Sequence, residues 1–412
     1  MFSASVHSKI AIAVSGGRDS MALLHMACAQ LGVANIVALT VDHALRPQSA
    51  AEAAMVKQYC APHNIVHHTL VWHKTAACKT SQAGAREARY ALLANWCYQN
   101  NIGTLCTGHT QNDVAETFWA RLQRGGDLTS LSAMAQKRPL KSFYEWPENT
   151  LVPTATTIML QRPILGLSRH DTTNYCKQHN VPYVDDPSNE NTQFERVQHR
   201  QFLATNPALE NACIASANHL RVAENALQAQ ALSLFEQHAK IYAKLGCASV
   251  PQNIWLAQSA ELQYRVLKML IWQVRGQKCL QILQPLTNQL PHVQTNQTVS
   301  VGGCVITPHQ GHIFVCRENR FLPQPITLQA GLNIYDNRWL IQCPPAFAGQ
   351  ILGAVGEAAW RRLQVKALPH LPLVANYTQL AVLADVPKLL PKLFIDLPHI
   401  RATLKPLQTI TS

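Results

Sequence analysis

A chain of 412 residues, 47% of them hydrophobic, is long enough to bury two or three cores and too apolar to stay disordered. Its 35 Lys and Arg outnumber 23 Asp and Glu, giving a formal charge of +12 that favours a polyanionic partner and salt-dependent binding. The 12 cysteines form no CxxC pair, and no charged start runs into a long apolar segment, so a disulfide scaffold, a signal peptide and a membrane span are not expected.

The first apolar run, KIAIAVS at 9–15, predicts a strand that opens directly on Ser15, Gly16, Gly17, Arg18, Asp19 and Ser20 and then on a helix-patterned stretch. Adjacent glycines let the backbone turn sharply, and a helix start offers unpaired N–H groups, so this loop is expected to hold phosphate oxygens. It matches neither GxxxxGK[ST] nor GxGxxG, and the missing lysine argues against a P-loop kinase. The next strand, NIVALTVD, ends at Asp42, with Arg46 at the rim. After a helix and the strand NIVHHTL, the helix at 81–99 carries Arg86, Glu87 and Arg89, either as a solvated ion-pair face or as a contact for nucleic acid.

The strand IGTLCTG leads into His109 and a helix from about Asn112, with Asp113, Glu116, Arg121 and Arg124 close behind. Carboxylates near a triphosphate can hold Mg²⁺, for which Asp19, Asp42 and Asp113 are the candidates. Arginines can compensate phosphate charge, and His109 can bond phosphate or carry a proton. Repeated βα units imply a largely parallel sheet covered by helices, with ligand residues at the carboxyl ends of its strands. The stretch 124–156 reads as a long loop able to close over a substrate. A strand at 157–162, a helix at 168–178 and the turn YVDDPSN follow, and then the polar pair Arg196 and Arg200.

Helical patterning at 193–203, 210–238 and 259–274 predicts a mainly helical middle domain. Short strand-like runs beyond 296 and a helix at 358–365 bearing Arg361 and Arg362 predict a small mixed α/β end. The expected division is 1–205, 206–320 and 321–412.

Six segments in order, SGGRDS, VDHALRPQS, AREARYALL, GHTQNDVAETFWARLQRGG, RPILGLSR and YVDDPSN, resemble the tRNA(Ile)-lysidine synthase family of the N-type ATP pyrophosphatase (PP-loop) superfamily. GEAAWRRLQVKALPHLPLVAN resembles its C-terminal domain. The resemblance implies an adenine nucleotide alpha-hydrolase-like first domain and ATP with Mg²⁺ as cofactors. It also implies free L-lysine and tRNA(Ile) with a CAU anticodon as substrates, a cytoplasmic setting, and it allows a homodimer. In the chemistry it implies, ATP adenylates C2 of the wobble cytidine and the lysine ε-amine displaces AMP, changing codon reading from AUG to AUA.

By that resemblance, Ser15 to Ser20 hold the nucleotide, and Asp42, His109, Asp113, Arg121 and Arg124 serve the reaction. Arg46, Arg86, Glu116, Arg196, Arg200, Arg361 and Arg362 meet the substrates, and Asp19 and Asp113 are the metal ligands. Two positions depart from the family pattern: Asn112 stands where a second aspartate is usual, and Val197 follows Arg196 where asparagine is usual. A catalytically inactive tRNA-binding paralogue and a tRNA thiolation enzyme are the competing readings; the latter normally relies on cysteine chemistry.

Overall fold

The computed structural model describes residues 9–42, 47–71, 82–132, 134–140, 158–184, 195–242, 245–276, 283–336, 339–354, 372, 380–383, 392–393 and 401–404. Strands β1 (Ile10–Ala13), β2 (Ile36–Asp42), β3 (Val66–Val71) and β4 (Thr104–Thr107) alternate with helices α1 (Arg18–Leu31), α2 (Pro47–Cys60) and α3 (Gln82–Gln99). Then come α4 (Gln111–Leu122), α5 (Leu128–Leu131), β5 (Lys137–Leu140), β6 (Ile158–Gln161), α6 (Arg169–Gln178) and α7 (Glu195–Ala204).

The sheet order is β3-β2-β1-β4-β6-β5, parallel throughout except for β5. Strand alternation supplies both of its cores. Ile10, Ile12 and Val14 face Met21, Leu24, Val56 and Cys60 on one side, while Ala11, Val37 and Leu39 face Tyr90, Leu93 and Cys97 on the other. Each fully buried aliphatic side chain contributes about 1.5–3 kcal/mol, which explains why β1 is apolar on both faces.

Because β2 lies on one side of β1 and β4 on the other, the strand order reverses at the β1–β4 seam, and a crevice opens at their carboxyl ends. In register, Ala13 stands opposite Thr107, so Ser15–Ser20 and Gly108–Asp113 leave the sheet side by side. Part of the stretch expected as a long loop is ordered: 128–131 form α5 and 137–140 form β5, whose Pro139 is tolerated because β5 is the sheet's edge. Residues 141–157 lie outside the described residues.

The chain divides into two compact units that change over inside α8 (Pro207–His238), between Asn225 and Ala226. Residue 205, the boundary expected from the sequence, lies between α7 and α8 and not at this changeover. In the second unit follow β7 (Lys240–Tyr242), β8 (Cys247–Pro251), α9 (Gln252–Leu256), α10 (Ala260–Arg275), α11 (Leu283–Gln294), β9 (Val299–Val301), β10 (Cys304–His309) and β11 (His312–Arg317).

The expected helices are therefore present, joined by an antiparallel sheet of order β7-β8-β11-β10-β9. Leu262, Val266, Leu270 and Val274 form the stripe of α10 that packs with Val250, Ile306 and Ile313. Beyond residue 321 the described residues form two smaller antiparallel sheets. One joins β12 (Ile326–Thr327), β15 (Ile351–Ala354), β16 (Leu380–Leu383) and β17 (Lys392–Leu393); the other joins β13 (Gly331–Tyr335), β14 (Trp339–Cys343) and β18 (Arg401–Leu404). The helix expected at 358–365, with Arg361 and Arg362, lies outside the described residues. Among the described residues, no helix is long and apolar enough to cross a membrane.

Candidate active site

The loop after β1 is preformed by its own side chains. Gly16 has φ +82°, a conformation costly for any residue with a Cβ, and Gly17 caps α1 without a side chain to fill its first N–H groups. The Ser20 hydroxyl turns back into the loop, donating to Gly17 O at 2.8 Å and accepting from the Ser15 N–H at 3.1 Å, with Ser15 Oγ 3.3 Å away. Val184 N donates to Gly16 O at 3.0 Å and pins the loop from outside. Arg18 Nε is buried, 3.6 Å from Asp19 Oδ1, with no hydrogen-bond partner among the described residues. An uncapped helix start with an unsatisfied guanidinium nitrogen suits an anion, which is what the triphosphate of ATP requires.

The end of β4 touches this loop through Gly108. A Cβ there would stand 2.7 Å from Asp19 O and 2.9 Å from Ser20 N, so only glycine fits. His109 is buried and its Nδ1 shares a hydrogen bond of 2.9 Å with Thr107 Oγ1. One turn on, Asp113 and Glu116 lie on the inner face of α4, with the Glu116 side chain only 3% exposed.

Three guanidiniums converge on these two carboxylates. Arg169 reaches Asp113 Oδ1 at 3.0 Å and Glu116 Oε1 at 2.7 Å. Arg196 reaches Asp113 Oδ1 at 2.7 Å and Glu116 Oε2 at 2.9 Å, and Arg200 donates to Glu116 Oε1 at 3.0 Å. Burial opposes ionisation of Glu116, but Arg169 and Arg196 outweigh it and hold its carboxyl below the ordinary range. Three positive groups against two negative ones leave the cluster cationic, a surface suited to phosphate or AMP.

Helix α6 joins the two halves of the site. Ser168 caps it, Arg169 in its first turn spans the carboxylates, and the buried Thr172 hydroxyl donates to Asp19 Oδ1 at 2.6 Å. Sequence reasoning singled out neither Arg169 nor Thr172. Their partners lie 56 and 153 residues away, so no local spacing shows them, and RPILGLSR was the one available signal.

The remaining candidates fall elsewhere. Asp42 ends β2 in register with Val71. Arg121 sits in the last turn of α4, about 12 Å along the axis from Asp113 at 1.5 Å per residue, and donates to Ser130 O. Arg124 is exposed and pairs with Glu195. Arg46 lies outside the described residues, as do the side chain of Arg86 and the turn from Asp185 to Asn189.

Asp113 is saturated: Oδ2 accepts from the Thr110 N–H and hydroxyl, and Oδ1 from both guanidiniums, so a metal there would have to displace a donor. Asp19 keeps one oxygen, Oδ2, that takes no protein hydrogen bond among the described residues. Asn112, one of the two departures, accepts from the Arg169 N–H at 2.8 Å and donates to Glu210 Oε1 at 2.6 Å. Val197, the other, is buried on α7.

None of the ten described cysteines forms a disulfide with another described cysteine. Burial pushes Cys97 and Cys106 up to about 12, and Cys28 and Cys176 to about 11, so these thiols stay protonated and unreactive at neutral pH.

A family model described as a PP-loop domain matches residues 1–207, the segment that carries this loop and cluster. The tRNA(Ile)-lysidine synthase of Hyphomonas neptunium is 31% identical over 325 residues, covering 76% of this chain and 83% of that protein. That of Wolbachia pipientis wMel is 30% identical over 351 residues, covering 82% and 77%. The chain belongs to the tRNA(Ile)-lysidine synthase family. The likeness is not confined to the first unit, since the tRNA(Ile)-lysidine synthase of Ruegeria pomeroyi is 28% identical over 388 residues, 91% of this chain and 87% of its own length. Lysidine synthases are ligases, and the PP-loop of this member is the ATP-binding element that its geometry describes.

Proposed function

We propose that this chain makes lysidine at the wobble cytidine of tRNA(Ile) with a CAU anticodon, using ATP and free L-lysine. The cytidine C2 oxygen attacks the α-phosphorus of ATP, and the bond to the bridging oxygen breaks to release pyrophosphate. The lysine ε-amine then attacks C2, the C2–O bond breaks, AMP leaves, and the surplus amine proton passes to a base.

Ser15 to Ser20 cradle the phosphates through backbone N–H groups and the uncapped start of α1, and Arg18 supplies charge. Glu116, held ionised by Arg169 and Arg196, fixes these guanidiniums together with Asp113, and Arg196 and Arg200 are assigned to the anionic nucleotide or the tRNA backbone. His109, after β4, and Asp42, at the end of β2, are assigned to the reaction, and Arg46, Arg86, Arg121, Arg124, Arg361 and Arg362 to tRNA or leaving-group charge. Mg²⁺ neutralises triphosphate charge when bound. Asp19 would hold it through Oδ2, whereas Asp113, with four donors in place, does not fit that role.

The observation that carries the reading is that a single helix, α6, touches both the phosphate loop, through Thr172, and the carboxylate pair, through Arg169. The buried, protonated cysteines speak against thiolation. The hydrogen bonds of Asn112 speak against a site decayed by that substitution. The proposal extends to a cytoplasmic protein of three domains, at 1–205, 206–320 and 321–412, that forms a homodimer, checked by sedimentation.

The decisive experiment incubates the protein with unmodified CAU-anticodon tRNA(Ile), Mg-ATP and labelled lysine, then locates the label by nuclease digestion and mass spectrometry. Lysidine that depends on both ATP and lysine is the expected result. Tight tRNA binding with neither AMP nor label overturns the reading in favour of an inactive binder.

A further inference from the structure

Asn112 sits at the junction of α4, α6 and α8, and its single amide group serves two partners. Its Oδ1 accepts the backbone N–H of Arg169 at 2.8 Å, and its Nδ2 donates to Glu210 Oε1 at 2.6 Å. Accepting in one direction while donating in the other is what an amide does and an ionised carboxylate cannot. An aspartate in this place keeps the bond to Arg169 but loses the donor and sets two carboxylates against each other at a distance where 2.6 Å is now bonded. Glu210 is therefore the local reason that asparagine stands at 112.

The backbone of Arg169 carries the side chain that spans Asp113 and Glu116 at 3.0 and 2.7 Å. A tether on that N–H fixes where the guanidinium begins. Ser168 caps the same turn and Thr172 ties it to Asp19, so a shift of this turn disturbs a geometry that several bonds determine together.

We propose that Asn112 is a positioning residue which, braced by Glu210 of α8, holds the first turn of α6 so that Arg169 spans the Asp113–Glu116 pair. The proposal deepens the lysidine reading and rests on it for its activity readout. It touches no substrate directly. Its action is on the placement of Arg169, which predicts a defect in turnover and not in the affinity of the Ser15–Ser20 loop for ATP.

The test is a charge swap across four proteins: wild type, Asn112→Asp, Glu210→Gln and the double variant. Asn112→Asp is expected to lower kcat for lysidine formation about 30-fold, with KM for ATP within about twofold, as befits a lost charge-assisted hydrogen bond remote from the loop. Glu210→Gln stays within about threefold of wild type, because an amide oxygen accepts from Asn112 as the carboxylate does. The double variant returns to within about threefold, because the introduced amide donates to the introduced carboxylate and the bond re-forms in the reverse sense. Thermal unfolding of the same four proteins is expected to show the same rescue without reference to activity.

Wild-type turnover in Asn112→Asp overturns the proposal, and so does a double variant that recovers its Tm but not its kcat, which marks the pair as structural only. If the wild type itself makes no lysidine, the functional reading fails, and the unfolding series still decides whether residues 112 and 210 are coupled.

Discussion

Replacing Glu116 by glutamine tests whether the carboxylate cluster is held together by charge. Glu116 is 3% exposed and receives Arg169, Arg196 and Arg200 at 2.7, 2.9 and 3.0 Å. Glutamine can keep one acceptor, but its amide nitrogen turns a donor toward a guanidinium, and the cluster loses a negative charge. Breaking a buried pair costs about 3–5 kcal/mol; the lower end applies because the Arg196 side chain is 50% exposed and can rehydrate. For a unit of this size, roughly 3 kcal/mol corresponds to a fall of about 6–12 °C in Tm.

The pH dependence carries a sign. The folded state holds the Glu116 carboxyl below its ordinary value, so its contribution is fully present above the unfolded pKa and is lost as pH falls through the depressed folded value. Calorimetry of wild type and Glu116→Gln should therefore show a difference that is flat from about pH 5 to 8 and shrinks below about pH 4. A Tm difference under about 2 °C at pH 7 refutes the reasoning, as does one that changes between pH 6 and 8.

Gly108→Ala forces a Cβ to within 2.7 Å of Asp19 O, and the backbone must move; a loss of about 1–3 kcal/mol in urea unfolding is expected together with weakened ATP binding. Ser20→Ala removes the hydroxyl that bonds Gly17 O, the Ser15 N–H and Ser15 Oγ, and should raise KM for ATP about tenfold in an AMP-release assay and lower stability in urea unfolding by about 1–3 kcal/mol. Cys97 and Cys106, with thiols near 12, should resist maleimide at pH 8 in the native protein and react in urea, as read by peptide mass mapping.

The parts of the fold that were legible are those with local causes. Short, largely apolar runs such as IAIA and IVALTVD, bounded by turn residues, read as buried strands, and their alternation with helices points to a parallel sheet. β5, with lysine, arginine and proline in four residues, has no such signature and exists because β6 offers it an edge. In the second unit β7 and β8, three and five residues long, are too short to show a period and escape detection for that reason, while α10 was legible from its stripe. In the site, Ser15–Ser20, Asp113 and Glu116 were legible as residue types just past strand ends, and Arg196 and Arg200 as a polar pair after the YVDDPSN turn. Arg169, Thr172 and Glu210 were not, because each acts on a residue brought near only by tertiary folding, and Glu210 lies 98 positions from Asn112.

Thr172 and Arg169 are less than one helical turn apart on α6, yet one grips the phosphate loop and the other the carboxylate pair. The two stages of the reaction thus share one lever. A substitution that displaces Thr172 together with Arg169 reaches both, whereas one that moves Arg169 alone leaves the phosphate loop in place. A change at Asn112 is expected to need a matching change at Glu210, the residue its amide donates to.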